Sequence, residues 1–287
     1  MHVFKRSGDA SALNPPQVYQ GHSEGYAQIS LIDHTTASVH TGLSLNELAK
    51  KGTVAPHVHS FEESFYILEG QAVVSIGDRA FALGPGDFAC CNVGTVHGWR
   101  NTGNGPVRWL QMAAPQPKPA GKERDTFFLK NASLPETAAP PQAGDHQGAL
   151  LGHFDVGQVP PVDQRGENVT GAKGVFLQWL MDEKFGARHH RMLFLEYQPG
   201  ASIALHDHTF EEGYYLLSGE VQASLDGEQY LAKAGDVLWT GVGCVHSFSN
   251  VGSEPVRWLE TFSPQPPAEN VFRFAAEWEQ RGREIEG

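Results

Sequence analysis

The chain repeats itself. Sliding it by 149 residues, so that His57 meets His206, aligns residues 25–117 with residues 174–266 without a gap. Glu63 then meets Glu212, Gly70 meets Gly219, Asp87 meets Asp236 and His97 meets His246, and the pentapeptide PVRWL at 106–110 recurs at 255–259. Solenoid and propeller repeats run to roughly 20–50 residues, so a period this long marks a duplicated domain. Whatever one half folds into, the other must fold into as well.

Each half reads as strand. Runs such as SFYILEG, AVVSI, DFACCN and VRWLQM are rich in β-branched and aromatic residues and are broken by Gly, Asp and Asn at short intervals. That pattern predicts an all-β sandwich or barrel. We expect an N-terminal barrel over 1–117, a connector over 118–150 and a C-terminal barrel over 151–287. Eight prolines between residues 115 and 173 mark the connecting region, in which DTFFL at 125–129 is expected to pack on a barrel wall. After Pro267, Val271, Phe272, Ala275 and Trp278 stand at helical spacing and predict a short C-terminal helix whose apolar stripe covers the second barrel.

Charge narrows the function classes. The net charge is −12, from 33 acidic and 21 basic residues. Without a basic run, this balance makes nucleic acid and anionic membrane poor partners and a small molecule a good one. No apolar run approaches the roughly 20 residues of a membrane helix, and the opening MHVFKRSGDA lacks the apolar centre of a secretory signal. A cytoplasmic protein is expected, with homo-oligomerisation left open. Cys90, Cys91 and Cys244 read as small apolar residues of buried strands.

The chemistry lies in the histidines. Residues two apart on a strand share a face, so His57 and His59 project together, as do His206 and His208. Glu63 opens the next run with the parity of Phe65 and Ile67, and His97 follows 34 residues later. The set His57, His59, Glu63 and His97 recurs as His206, His208, Glu212 and His246. Three imidazoles and a carboxylate suit a divalent Fe, Mn, Ni, Cu or Zn, one ion per barrel. Glu62 and Glu211, of opposite parity, read as solvated or supporting groups, and the HHR at 189–191 reads as surface. Asp87 and Asp236 read as turn-fixing residues.

These spacings resemble the cupin family. Its first motif is Gly, five residues, His-x-His, three or four residues, Glu, six residues, Gly; Gly200, His206, His208, Glu212 and Gly219 fit it throughout. The first copy fits at His57, His59, Glu63 and Gly70, with Gly52 one residue too close. The second motif is met by Gly86, Asp87, His97 and Asn101, and by Gly235, Asp236, His246 and Asn250. Gly84 and Lys233 stand where the family has proline.

The resemblance implies two tandem double-stranded β-helix, or jelly-roll, barrels. By parity, Phe65, Ile67 and Trp99 line one pocket and Tyr214, Leu216 and Phe248 the other. Such walls suit a flat or apolar substrate and serve a small dianion poorly. They are similar to those of flavonol- and diketone-cleaving cupin dioxygenases, whereas Val73 and Gln222 stand where the resemblance to oxalate decarboxylases would require a substrate-binding arginine. The expected activity is therefore dioxygen-dependent cleavage of an aromatic, flavonol-like or diketone-type molecule, with Glu63 or Glu212 accepting the substrate's proton. The alternatives are an oxygen-independent lyase, decarboxylase or isomerase, and a non-catalytic small-molecule-binding cupin.

Overall fold

The computed structural model describes residues 1–7, 14–122, 124–130, 132–135, 137–140, 144–145, 149–160, 171–265, 273–274, 276 and 280. Among these, regular structure is almost entirely strand, arranged as two 11-stranded sheets of antiparallel pairs. The two tandem barrels expected from the repeat are what the chain forms. No helix of the described residues is long and apolar enough to cross a membrane.

The first barrel is built around the long strand Gly42–His59, which pairs with Ser23–Ile32, His97–Asn101 and Val107–Ala114. Glu62–Glu69 runs between Asp87–Cys91 and Val107–Ala114. Alternation does the sorting. Val54, Phe65, Ile67, Val74, Ile76, Trp99 and Trp109 point inward as one apolar cluster, while neighbours of opposite parity face away. Burying each large apolar side chain contributes roughly 1.5–3 kcal/mol relative to exposure.

The second barrel repeats this register at the same offset. Glu63 lies opposite Cys91 and Ala113, and Glu212 opposite Thr240 and Phe262. His57 pairs with His97, and His206 with His246. Even the irregularity recurs, between Ile67 and Glu69 in one strand and Leu216 and Ser218 in the other. Its core gathers Leu195, Tyr214, Leu216, Val221, Leu238, Phe248 and Trp258.

Turn residues differ more than strands do. Gly70 and Gly219 close the first motif at φ +80° and +76°, and a Cβ at Gly219 would lie 2.7 Å from Pro255 O. Only glycine fits there. The left-handed position filled by Gly200 in the second barrel is held in the first by Lys51, at φ +65°. The turn is therefore preserved although its glycine has moved to position 52.

The compact units interleave in sequence. One comprises Ser11–Gln158 with Leu180–His190; the other comprises Met1–Ala10, Val159–Trp179 and Arg191–Gly287. The expected divisions at 117 and 150 follow the repeat and miss what covers the sheet edges. Ala149–His153 pairs with Asp87–Cys91, and the N-terminal His2–Lys5 pairs with the equivalent strand Val237–Thr240. An open strand edge is satisfied by whichever extended segment reaches it, and the two edges recruit unrelated segments.

Two further strands border the histidines. Thr126–Phe128, within DTFFL, pairs with His57–His59, and Arg273–Phe274 pairs with His206–Asp207. The latter two residues are strand where a helix was expected; Ala276 and Gln280 are helical. Val271, Phe272, Ala275 and Trp278 lie outside the described residues.

Candidate metal centres

In each barrel three buried imidazoles converge, with ligand atoms within 4.8 Å of one another: His57, His59 and His97 in the first, His206, His208 and His246 in the second. What orients them is the nitrogen each ring turns outward. His57 Nδ1 meets Ala55 O at 2.8 Å, and His97 Nδ1 meets Thr95 O at 3.0 Å. His206, His208 and His246 use Ala204 O, Phe210 O and Cys244 O at 2.7, 2.9 and 2.9 Å. A carbonyl only accepts, so in these five rings Nδ1 carries the proton and Nε2 presents a lone pair.

His59 reaches the same state through Thr126. Its Nδ1 lies 3.0 Å from Thr126 Oγ1, whose hydroxyl is itself directed to Asp125 Oδ1 at 3.2 Å. Thr126 was invisible as a site residue, because it has no counterpart in the repeat. Its strand was foreseen only as something packed on a wall.

The carboxylates complete the sets. Glu63 Oε2 is 3.0 Å from His59 Nε2, and Oε1 is 3.4 Å from His97 Nε2. Glu212 Oε2 is 2.7 Å from His208 Nε2 and 3.3 Å from His246 Nε2. His59 Nε2 and His97 Nε2 are buried without a hydrogen-bond partner. With the protons on Nδ1, these contacts set lone pair against lone pair, an arrangement that a shared cation stabilises. The donor chemistry therefore fits a divalent transition metal in each barrel.

Electrostatics agree. Burial pushes His57 well below the ordinary histidine range, with His97 and His59 adding to the effect. Burial, with His246 beside it, lowers His206 to about 4. Burial would raise Glu63 and Glu212, but His59 and His97, and His208 and His246, hold both well below the usual carboxylate range. The deprotonated forms that a metal requires are thus favoured at His57, His206, Glu63 and Glu212, whereas at His97 and His208 the facing Glu63 and Glu212 carboxylates outweigh burial and favour the protonated ring.

The halves differ beneath the donors. Gln111 Nε2 donates to Glu63 Oε2 at 2.8 Å. The same place 149 residues on is Glu260, which accepts from Trp258 Nε1 at 3.0 Å and is hydrogen-bonded to Glu212. Burial and the Glu212 charge push its carboxyl well above the usual range, which favours the protonated form that can donate to Glu212. Both residues were missed, though aligning the halves sets them opposite each other.

The six residues expected to line pockets are all buried. Phe65, Ile67 and Trp99 belong to the first core, where Trp99 stacks on Trp109 at 4.3 Å. Tyr214, Leu216 and Phe248 belong to the second. They form a filled interior next to the donors, because side chains of this size close a small barrel. At the first centre further aromatics stand against the histidines: Tyr19 and Phe128 at 5.5 and 5.2 Å from His57, and Phe61 stacked on His59 at 4.3 Å.

Two expectations are corrected outside the centres. Glu62 and Glu211 are buried rather than solvated. Glu62 accepts the backbone N–H groups of Arg188, His189 and His190 at 2.7, 2.9 and 3.2 Å, and lies 2.9 Å from His190 Nδ1. His190 is therefore interior, with Nε2 2.6 Å from Ser64 Oγ, rather than surface. Glu62, Cys90 and His190 are close enough to share an ion, but the Glu62 carboxylate already accepts three backbone N–H groups and anchors Leu180–His190. Asp87 and Asp236 do fix turns, accepting from Gly84 N at 2.7 Å and Lys233 N at 2.9 Å.

Comparison with known proteins places these features. The family model described as "Cupin domain" matches residues 44–112 and 193–262. An oxalate-binding protein from Thermotoga maritima is 34% identical over 99 residues, which is 33% of this chain and 82% of that protein. The polyketide synthase protein CurC from Streptomyces cyaneus is 34% identical over 71 residues, 24% of this chain and 46% of that protein. Among solved structures, an oxalate decarboxylase–formate complex from Lactobacillus farciminis superposes with a TM-score of 0.65 at 19% identity, covering 97% of this chain and 90% of that one. Protein Ylba from E. coli gives 0.64 at 16%, covering 94% and 93%. At these identities the structural likeness speaks for the fold.

Proposed function

The chain belongs to the cupin family, with two cupin barrels in one polypeptide, and from this premise we propose that it is a metal-dependent enzyme that cleaves a small, oxygen-rich, chelating molecule. The observation that carries the reading is the pinning of all six histidines through Nδ1, which leaves Nε2 to present the lone pair of each converging ring, with Glu63 against His59 and His97 and Glu212 against His208 and His246.

The holders would be His57, His59, Glu63 and His97 in the first barrel, and His206, His208, Glu212 and His246 in the second. A bound divalent metal supplies Lewis acidity, lowering the pKa of a substrate hydroxyl or carboxyl and polarising its oxygens. Glu63 and Glu212 stay ionised beside their imidazoles and can take the substrate's proton. Gln111 steadies Glu63 by occupying one of its lone pairs. Phe65, Ile67 and Trp99, and Leu216 and Phe248, form a buried apolar floor beneath the donors, which disfavours water there.

A filled interior favours a small substrate. A dicarboxylate or an oxo- or hydroxy-acid fits, and the cleavage is then an oxygen-independent, decarboxylase-type reaction. The oxalate named for the Thermotoga maritima relative belongs to this class. The dioxygenase expected from the sequence is a second reading, favoured by Tyr19, Phe128 and Phe61 around His57 and His59, a setting suited to an enolised ring or diketone. Metal-replete protein offered dicarboxylates, diketones, catechols and flavonols separates the two. Turnover that persists under strict anaerobiosis supports the first reading, oxygen uptake supports the second, and no turnover of any class contradicts both.

A further inference from the structure

In the second barrel a fifth heteroatom stands among the four donors. Tyr214, 1% exposed, hydrogen-bonds through its hydroxyl to Glu212 Oε2, and its oxygen lies 3.3 Å from His246 Nε2 and 3.4 Å from Thr240 Oγ1. Two of these three neighbours are donors of the centre. Ligands sharing one ion through bonds of roughly 2.0–2.2 Å are held about 3 Å from one another. The phenol oxygen is thus spaced from His246 as a ligand is from its neighbour, and it is hydrogen-bonded to the carboxylate of Glu212.

At the equivalent position the first barrel has no such atom. The repeat places Phe65 opposite Tyr214, and its ring packs edge-on to Trp99 at 4.6 Å. The amide of Gln111 is the extra polar group there, and it faces Glu63.

Building on the reading of both centres as metal sites, we propose that Tyr214 is a ligand of the second centre, so that this barrel alone offers five donors and prefers a hard, highly charged ion such as ferric iron. On binding, the phenol O–H bond gives way to an oxygen–metal bond and the proton leaves to solvent; iron supplied as ferric changes no oxidation state. A fifth donor also leaves one fewer open position, so a substrate chelating through two oxygens is served by the first barrel.

The test uses the metal-free full chain titrated with ferric citrate, reading bound iron after desalting together with the visible phenolate-to-iron charge-transfer absorption. Wild type and H57A should both develop the band. Y214F should retain second-barrel iron without it, and H206A should lose both. Resonance Raman excitation into the wild-type band needs no variant and should enhance phenolate ring modes. Iron bound through His206 with no band, a band that survives in Y214F, or a Raman spectrum without phenolate modes overturns the assignment. An iron count indifferent to H206A overturns instead the metal-site reading beneath it.

Discussion

Thr126 accepts the Nδ1 proton of His59 at 3.0 Å, reaching it from 67 residues further along the chain. The other five site histidines lean on backbone carbonyls, which mutation cannot remove. Thr126 is therefore the place where the support of one metal ligand can be cut without touching the ligand.

Replacing Thr126 with Val keeps the shape and removes the acceptor. The buried Nδ1–H then lacks its partner, at a cost of about 1–3 kcal/mol, and metal affinity at the first centre should fall roughly 10–100-fold. The second centre should be unaffected, and T126S should restore the first. Calorimetric titration with Zn in the H206A background reads the first centre alone.

Glu260→Gln gives the second barrel the amide that Gln111 provides in the first. Glu260 is held above its unfolded pKa by burial and by Glu212, so its contribution to stability is complete below the unfolded value and lost as pH rises toward the folded one. Gln does not titrate. In metal-free protein, E260Q should therefore gain on wild type from about pH 4.5 upward. Urea denaturation at pH 5 and pH 8 measures the difference, and an equal offset at both contradicts the neutral-acid assignment.

His206 titrates in the opposite sense. Its folded pKa of about 4 lies below the unfolded value of roughly 6.5, so the unfolded chain takes up the proton first. Metal-free protein should lose stability as pH falls from about 6.5 to 4, on the order of 3 kcal/mol from this group. H206N should flatten that part of the profile.

Lys51 occupies the left-handed turn position that Gly200 fills in the second barrel. A side chain there costs roughly 1–2 kcal/mol, and glycine returns about 0.5–1 kcal/mol of that as unfolded-chain entropy. K51G should stabilise the first barrel by about 0.5–1 kcal/mol, seen as a higher urea midpoint with an unchanged slope.

The metal donors were legible because strand parity is strict. Once His57, His59 and Glu63 lie on strands, a period of two decides which side chains meet, and the repeat supplies the check at His206, His208 and Glu212. Parity also separated Glu62 from Glu63, but could not say that Glu62 is buried. Its partners at 188–190 arrive from 126 to 128 residues away, and no local pattern announces them. The covering of the two sheet edges was hidden for the same reason: a strand such as His2–Lys5 pairs with Val237–Thr240 through backbone atoms that every residue carries. Tyr214 was named as a wall, and its hydroxyl was the part overlooked.

The most direct test of two independent centres is the metal content of wild type, H57A and H206A, each loaded with Zn or Mn and desalted. The prediction is one ion per barrel in wild type, loss of the first-barrel ion alone in H57A, and loss of the second-barrel ion alone in H206A. Metal content that neither substitution lowers would contradict the assignment of both centres.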